Sequence, residues 1–403
     1  MSDMEQKLTR WPRLLVPAVC MLFAGVIYAW SVLKTPLGAE FGWNESVLAL
    51  NFTLTLCFFC IGGIFGGHIT KKVTAQAGLL ISAVLVGSGF ILTSALSGST
   101  VMLYGSYAGL AGTGIGIAYN ILISTTNIWF PDKKGTCSGV LMMCFGLSSL
   151  LLGAVADTLF STVGWRNTFL LLGLVIAAVI ALCSFGIRLP PSGLVLPQPK
   201  QKAYAQDRFS GADITTREMV RRSSFWRFFV FSVLTSASGS SIISFARDLA
   251  IVSGAKASLA TMLVGVLSLC NGFGRILCGI VSDTFGVRAA MLISNTIAIA
   301  APLAVLFAVN WHSIILCVAG LCLTGIAYGF LATIISAFTV TFYGPTNFSS
   351  NYSISNMMLF PAAFGATLAS VLLTQSGGYS APILMLAAFA AAAMAINLTI
   401  RKP

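Results

Sequence analysis

The sequence predicts an all-α integral membrane protein of twelve transmembrane helices in two six-helix halves. Three observations carry this reading. Only 8% of the 403 residues are charged and 57% are hydrophobic. Soluble domains carry about 25% charged residues, so this chain lacks the charge to coat a soluble surface of its size. Apolar runs long enough to span a bilayer recur along the whole chain, and its single long polar segment falls near the middle. The mean hydropathy of +0.91 agrees.

A spanning helix needs about 20 mostly apolar residues. Applied along the chain, that length predicts spans over 13–34, 46–70, 76–96, 101–128, 136–160, 167–188, 225–247, 258–281, 287–309, 313–341, 347–374 and 380–400. Residues 189–224 hold Pro190, Pro191, Pro197 and Pro199, then a charged stretch around Arg217, Arg221 and Arg222. They read as a linker, ending in a short amphipathic helix, between an N-terminal half (1–188) and a C-terminal half (225–403). No cleavable signal-peptide pattern precedes the first span.

Charge sets the orientation. With the N-terminus inside, 18 of the 23 Lys and Arg residues fall on the cytoplasmic side, and Lys34, Arg166, Arg247 and Lys256 fall outside. The positive-inside rule therefore predicts cytoplasmic termini and a cytoplasmic linker. The bilayer thus accounts for the net charge of +12 without a nucleic-acid partner. Arg275 alone remains, inside span eight.

The ten cysteines lie in or beside apolar runs, with no secreted-type spacing. Cys57-x-x-Cys60 sits in a hydrophobic helix without a second such pair, so packing is the expected role. No metal or cofactor site is expected. No span carries a nucleophile–base pair, so no enzyme is expected either.

The tetrapeptide Gly-Ile-Ala-Tyr occurs at 116–119 and 325–328, in the fourth span of each half. The loop after span eight reads Gly279-Ile280-Val281-Ser282-Asp283-Thr284-Phe285-Gly286-Val287-Arg288. It resembles the G-x-x-x-D-x-x-G-x-[RK] loop of the major facilitator superfamily. Its counterpart after span two is degenerate, with Lys71 and Thr74 where Asp and Gly would stand. Asn127-Ile128-Trp129-Phe130-Pro131-Asp132-Lys133-Lys134-Gly135, Asn271-Gly272-x-Gly274-Arg275 and Asn351-Tyr352-Ser353 resemble the oxalate:formate antiporter and monocarboxylate transporter families. The resemblance implies a substrate site near the midplane between two rocking halves. It implies gating roles for Asp283, Gly286, Arg288, Asp132 and Lys133, and a carboxylate-binding role for Arg275.

Two departures bear on the substrate. Oxalate carriers of that family use a lysine on span eleven, at or near Leu359 here, but residues 347–400 hold no Lys or Arg. Animal monocarboxylate transporters place an aspartate where this chain has Asn271. One buried cation suits one carboxylate.

Ser268, Asn271, Arg275, Cys278 and Ser282 recur at three- and four-residue steps and make one polar stripe on span eight. Arginine at depth in lipid costs roughly 2.5–3.5 kcal/mol even on the lenient insertion scale, so the stripe should face the interior. Arg275 offers a bidentate fork to a carboxylate and Asn271 adds a donor beside it. The alternative is a structural arginine satisfied by helix carbonyls. Tyr28, Tyr119 and Tyr328, at midspan, either hydrogen-bond the substrate or pack. Leu359 and Phe360 are expected to form an apolar wall. Asp248, Asp157 and Glu45 lie near outer span ends, where they either carry protons or pair with Arg166, Arg247 or Lys256.

The expected function is secondary active transport of a small monocarboxylate of the lactate, pyruvate or formate class, coupled to protons. Organic anion antiport of the oxalate:formate type is the alternative within transport. A carboxylate sensor without transport is the alternative from another class. A monomer in the inner membrane of a prokaryote is expected.

Overall fold

The structure, a computed structural model, describes residues 10–191, 194, 196–197 and 213–401. Eleven helical segments among these are long and apolar enough to cross a membrane. The longest, Lys134–Gly186, is two helices end to end, because Gly164 has φ +79° and ψ 165°. That backbone region is open essentially to glycine alone, and there the chain turns without a loop. We number the resulting helices α1 (Pro12–Phe41), α2 (Glu45–Lys72), α3 (Ala75–Ser94), α4 (Thr100–Trp129), α5 (134–163) and α6 (165–186). They continue as α7 (Ser223–Val252), α8 (Ala257–Phe285), α9 (Val287–Asn310), α10 (Ile314–Tyr343), α11 (Phe348–Ser376) and α12 (Ser380–Thr399).

Local chemistry explains the boundaries. Pro12 opens α1, where its missing N–H costs nothing. Asn44 accepts from Val47 N at 3.0 Å to cap α2, and the Thr74, Ser99 and Ser313 side chains cap α3, α4 and α10. Gly286, at φ +89°, separates α8 from α9, which is the turn expected of the loop after span eight. In the linker, Thr215 and Glu218 form a reciprocal capping box on the one-turn helix Thr216–Met219.

Several expected ends move outward. α1 runs to Phe41 and α7 to Val252, so Lys34 and Arg247 lie within helices rather than in outer loops. The expected loop between spans five and six is likewise absent. Hydropathy marks the hydrocarbon-depth part of a helix, whereas hydrogen bonding carries the helix on into the polar boundary. Other helices are irregular inside. α1 tightens to a 3₁₀ turn over Gly25–Ala29, and α4 widens to a π-helix over Tyr104–Gly112. α11 breaks at Met357–Met358.

The chain forms two compact units that divide within the linker. The first holds the described residues up to 199 together with Phe348–Ile354, and the second holds those from 200 to 347 and from 355 onward. In the first, Trp30, Phe90, Tyr107 and Phe169 form a buried aromatic core, with Trp30 and Tyr107 rings 4.6 Å apart. In the second, Ile242, Leu249, Leu263, Val305, Leu321 and Leu386 pack α7, α8, α9, α10 and α12 on one another.

Candidate functional site

Arg10 and Arg275 are the two buried charged side chains among the described residues, at 4% and 5% exposure. They differ in what surrounds them. Arg10 meets Asp132 through two hydrogen bonds, of 2.6 and 3.1 Å. Arg275 sits in the second half of α8, with Nε donating to Asn271 Oδ1 at 3.3 Å.

The position of Arg275 is fixed by helix contact. A Cβ on Gly329 of α10 would fall 2.1 Å from the Asn271 carbonyl oxygen, so only glycine lets α10 lie this close to α8. One turn on, Thr333 Oγ1 donates to the Arg275 carbonyl at 3.0 Å. The duplicated Gly-Ile-Ala-Tyr acquires a physical meaning here. Gly325 lies against Leu267 and Asn271 of α8, and Gly116 lies against Phe59 and Gly63 of α2 in the other unit. Each copy brings the fourth helix of its half into backbone contact with the second.

Tyr328 follows on α10. Its ring lies on Gly239 of α7, and its hydroxyl interacts with Ser236 and falls within electrostatic reach of Arg275. The second unit thus brings together Arg275, Asn271 and Tyr328, and adds Ser236 and Thr333, which the sequence reading did not single out. The stripe on α8 is only partly shared. Cys278 and Ser282 are buried and face each other at 3.8 Å, while Ser268 is exposed and bonds its own helix at Val264.

Tyr28 and Tyr119 belong to the first unit. Both meet Phe145, with ring centroids at 5.4 and 4.9 Å, and Tyr119 also meets Phe59. The Tyr119 hydroxyl lies 3.0 Å from that of Tyr352. Beside it, Asn120 Nδ2 donates to the Ser349 carbonyl at 2.9 Å and to Ser353 Oγ at 2.7 Å, and Ser353 Oγ donates to the Gly63 carbonyl at 2.7 Å. Ser349 Oγ also bonds Asn120 Oδ1. These contacts hold the first turns of α11 against α2 and α4. Asn120 was missed, although it directly follows the first tetrapeptide where Gly329 follows the second.

The remaining expected site residues are dispersed. Leu359, half-buried, and Phe360, 47% exposed, begin the helical stretch of α11 after its break, with Phe360 packed edge-on to Phe364. Asp157 and Asp248 are exposed on α5 and α7, and the side chain of Glu45 lies outside the described residues. Asp248 lies within electrostatic reach of Tyr379, whose hydroxyl is pushed up first by burial and then by that carboxylate. Asp283 is exposed in the last turn of α8, and Arg288 is the second residue of α9.

Asp132 and Lys133 sit in an aromatic brace of the first unit. Arg10 lies over the Phe130 ring at 4.8 Å, Lys133 over Trp11 at 5.1 Å and Arg13 over Trp129 at 5.5 Å. Trp129 Nε1 donates to the Arg188 carbonyl at 2.6 Å. The start of α1, the loop after α4 and the end of α6 are thereby tied together.

A helical membrane protein that buries a guanidinium inside a spanning helix has the makings of a solute carrier. This chain belongs to the major facilitator superfamily, whose family model matches residues 15–360 and also 229–403. It is 28% identical to the uncharacterized MFS-type transporter YhjX of Escherichia coli over 365 residues, covering 88% of this chain and 86% of that one. It is 28% identical to the oxalate:formate antiporter of Oxalobacter formigenes, over 69% of this chain and 64% of that one. It is 24% identical to monocarboxylate transporter 2 of Rattus norvegicus, over 83% of this chain and 71% of that one. Among solved structures, the proton:xylose symporter XylE, as a double Trp mutant, superimposes with a TM-score of 0.72 at 14% identity, covering 98% of this chain and 96% of that one. FucP in its outward conformation gives 0.69 at 14% identity, covering 97% and 99%. At these identities the structures establish the shared fold.

Proposed function

We propose that this transporter moves small monocarboxylates of the lactate, pyruvate or formate class by alternating access, coupled to protons. The observation that carries the reading is the buried Arg275 guanidinium, oriented through Nε by Asn271. A guanidinium whose plane is fixed meets a carboxylate with two parallel hydrogen bonds, and burial strengthens both. Tyr328 and Ser236 supply hydroxyls beside it for a keto or hydroxyl oxygen. Residues 347–400 offer no second cation, so one carboxylate is matched at a time. The wider family of carriers that includes the rat monocarboxylate transporter supports the same class. The excess of Lys and Arg on one side supports cytoplasmic termini by the positive-inside rule.

The similarity to an oxalate:formate antiporter favours organic anion exchange as the second reading. Uptake of labelled mono- and dicarboxylates into proteoliposomes, with and without a pH gradient, separates the two. Saturable monocarboxylate uptake driven by an acidic exterior is expected. Dicarboxylate exchange without monocarboxylate uptake would overturn the proposal.

A further inference from the structure

Where α7 begins and α12 ends, Arg222, Arg227 and Arg401 line a cavity of about 690 Å³. The hydroxyl-bearing Ser223, Ser224 and Thr399 complete its polar wall, and Leu398 forms its apolar edge. The volume lies within the range of pockets that hold small ligands, about 300–1,000 Å³. Among the described residues, none of the three arginines has a carboxylate within ion-pairing distance. Glu218, which Arg222 senses electrostatically, accepts through Oε2 from the Thr215 N–H and hydroxyl, each at 2.9 Å. Arg227 Nη1 donates to the Thr399 carbonyl at 2.7 Å, which holds one of the arginines and ties α7 to α12.

The surroundings are those of a membrane surface. Trp226, beside Arg227, is 53% exposed and donates its indole N–H to the Val220 carbonyl, while Leu398 is 64% exposed. A tryptophan with an anchored N–H and an open ring is at home at the headgroup level of a bilayer. Three arginines around one cavity offer donors to the oxygens of a phosphate, and basic pockets between spanning helices suit anionic headgroups.

We propose that this cavity binds a phosphate group, presented by an anionic phospholipid or arriving as free phosphate. Its lining shares no residue with the Arg275 site. The full-length protein, purified in detergent, is titrated with phosphatidylglycerol, phosphatidylcholine or inorganic phosphate, and binding is read by native mass spectrometry and by the shift in Tm. Phosphatidylglycerol is expected to bind and raise Tm, phosphatidylcholine is not, and R222Q/R227Q/R401Q should weaken phosphatidylglycerol binding roughly a hundredfold. A Tm shift with phosphatidylglycerol and none with inorganic phosphate assigns a lipid headgroup; a shift with both assigns any phosphate. Equal binding of the two lipids without a response to phosphate would overturn the proposal. So would undiminished phosphatidylglycerol binding by the triple variant or, should that variant fail to fold, by R401Q.

Discussion

Arg275 and Asn271 stand one helical turn apart on α8, and the guanidinium Nε donates to the amide oxygen at 3.3 Å. The amide oxygen orients the guanidinium, and under the proposed function that fork meets the carboxylate. Arg275→Ala should therefore lower transport by at least about a hundredfold, because it removes a buried charged hydrogen-bonding group. The variant should still fold and elute as the wild type does. Retained carboxylate uptake would make Arg275 a structural residue.

Asn271→Asp puts a competing carboxylate beside the same guanidinium. Ionised, it occupies Arg275; protonated, it releases it. Uptake by this variant should rise more steeply on acidification than wild-type uptake. A pH profile identical to wild type, measured in proteoliposomes, would count against a role for this position at the site.

The Tyr119 and Tyr352 hydroxyls, 3.0 Å apart, are both buried. Losing either one leaves the other without that partner, at about 1 kcal/mol. Y119F and Y352F should each lower Tm, and the double variant should lose less than the sum. Strict additivity in that cycle would show that the pair contributes no coupling.

Asp132→Asn removes the counter-charge of the buried Arg10, and breaking such a pair costs about 3 kcal/mol or more. A marked fall in Tm is expected, with partial recovery in the charge exchange R10D/D132R. No change in Tm would remove the brace from the list of stabilising features.

Gly329→Ala should harm transport without touching the substrate. Its Cβ would meet the Asn271 carbonyl at 2.1 Å, so α10 must back away from α8. Overpacking of this kind costs about 1–3 kcal/mol. Gly265→Ala on α8 is the contrast: nothing lies within 4 Å, and helix propensity favours alanine. Equal behaviour of the two variants, in Tm and uptake, would refute the close-contact argument.

Much of the architecture is written in hydropathy, because a bilayer imposes one length on every apolar helix. The helices were readable for that reason. The joint at Gly164 was not, since one glycine in an apolar run looks like any other until its φ is known. Arg275 and Asn271 were legible as a local stripe of period 3.6. The partners of Tyr119 and Asn120 were not, because they lie more than two hundred residues further along the chain. At Phe360 a helix of nearly uniform hydrophobicity gives no clue to which face is open.

The backbone contact between α8 and α10 has a bearing on redesign. With Gly325 and Gly329 seated on α8, the distance between these helices cannot serve as a dial for substrate size. Under the proposed function, selectivity would be retuned by exchanging side-chain tips such as those of Asn271, Tyr328 and Ser236. A library that leaves both glycines untouched and varies those three positions would sample altered specificity while keeping most of its members folded.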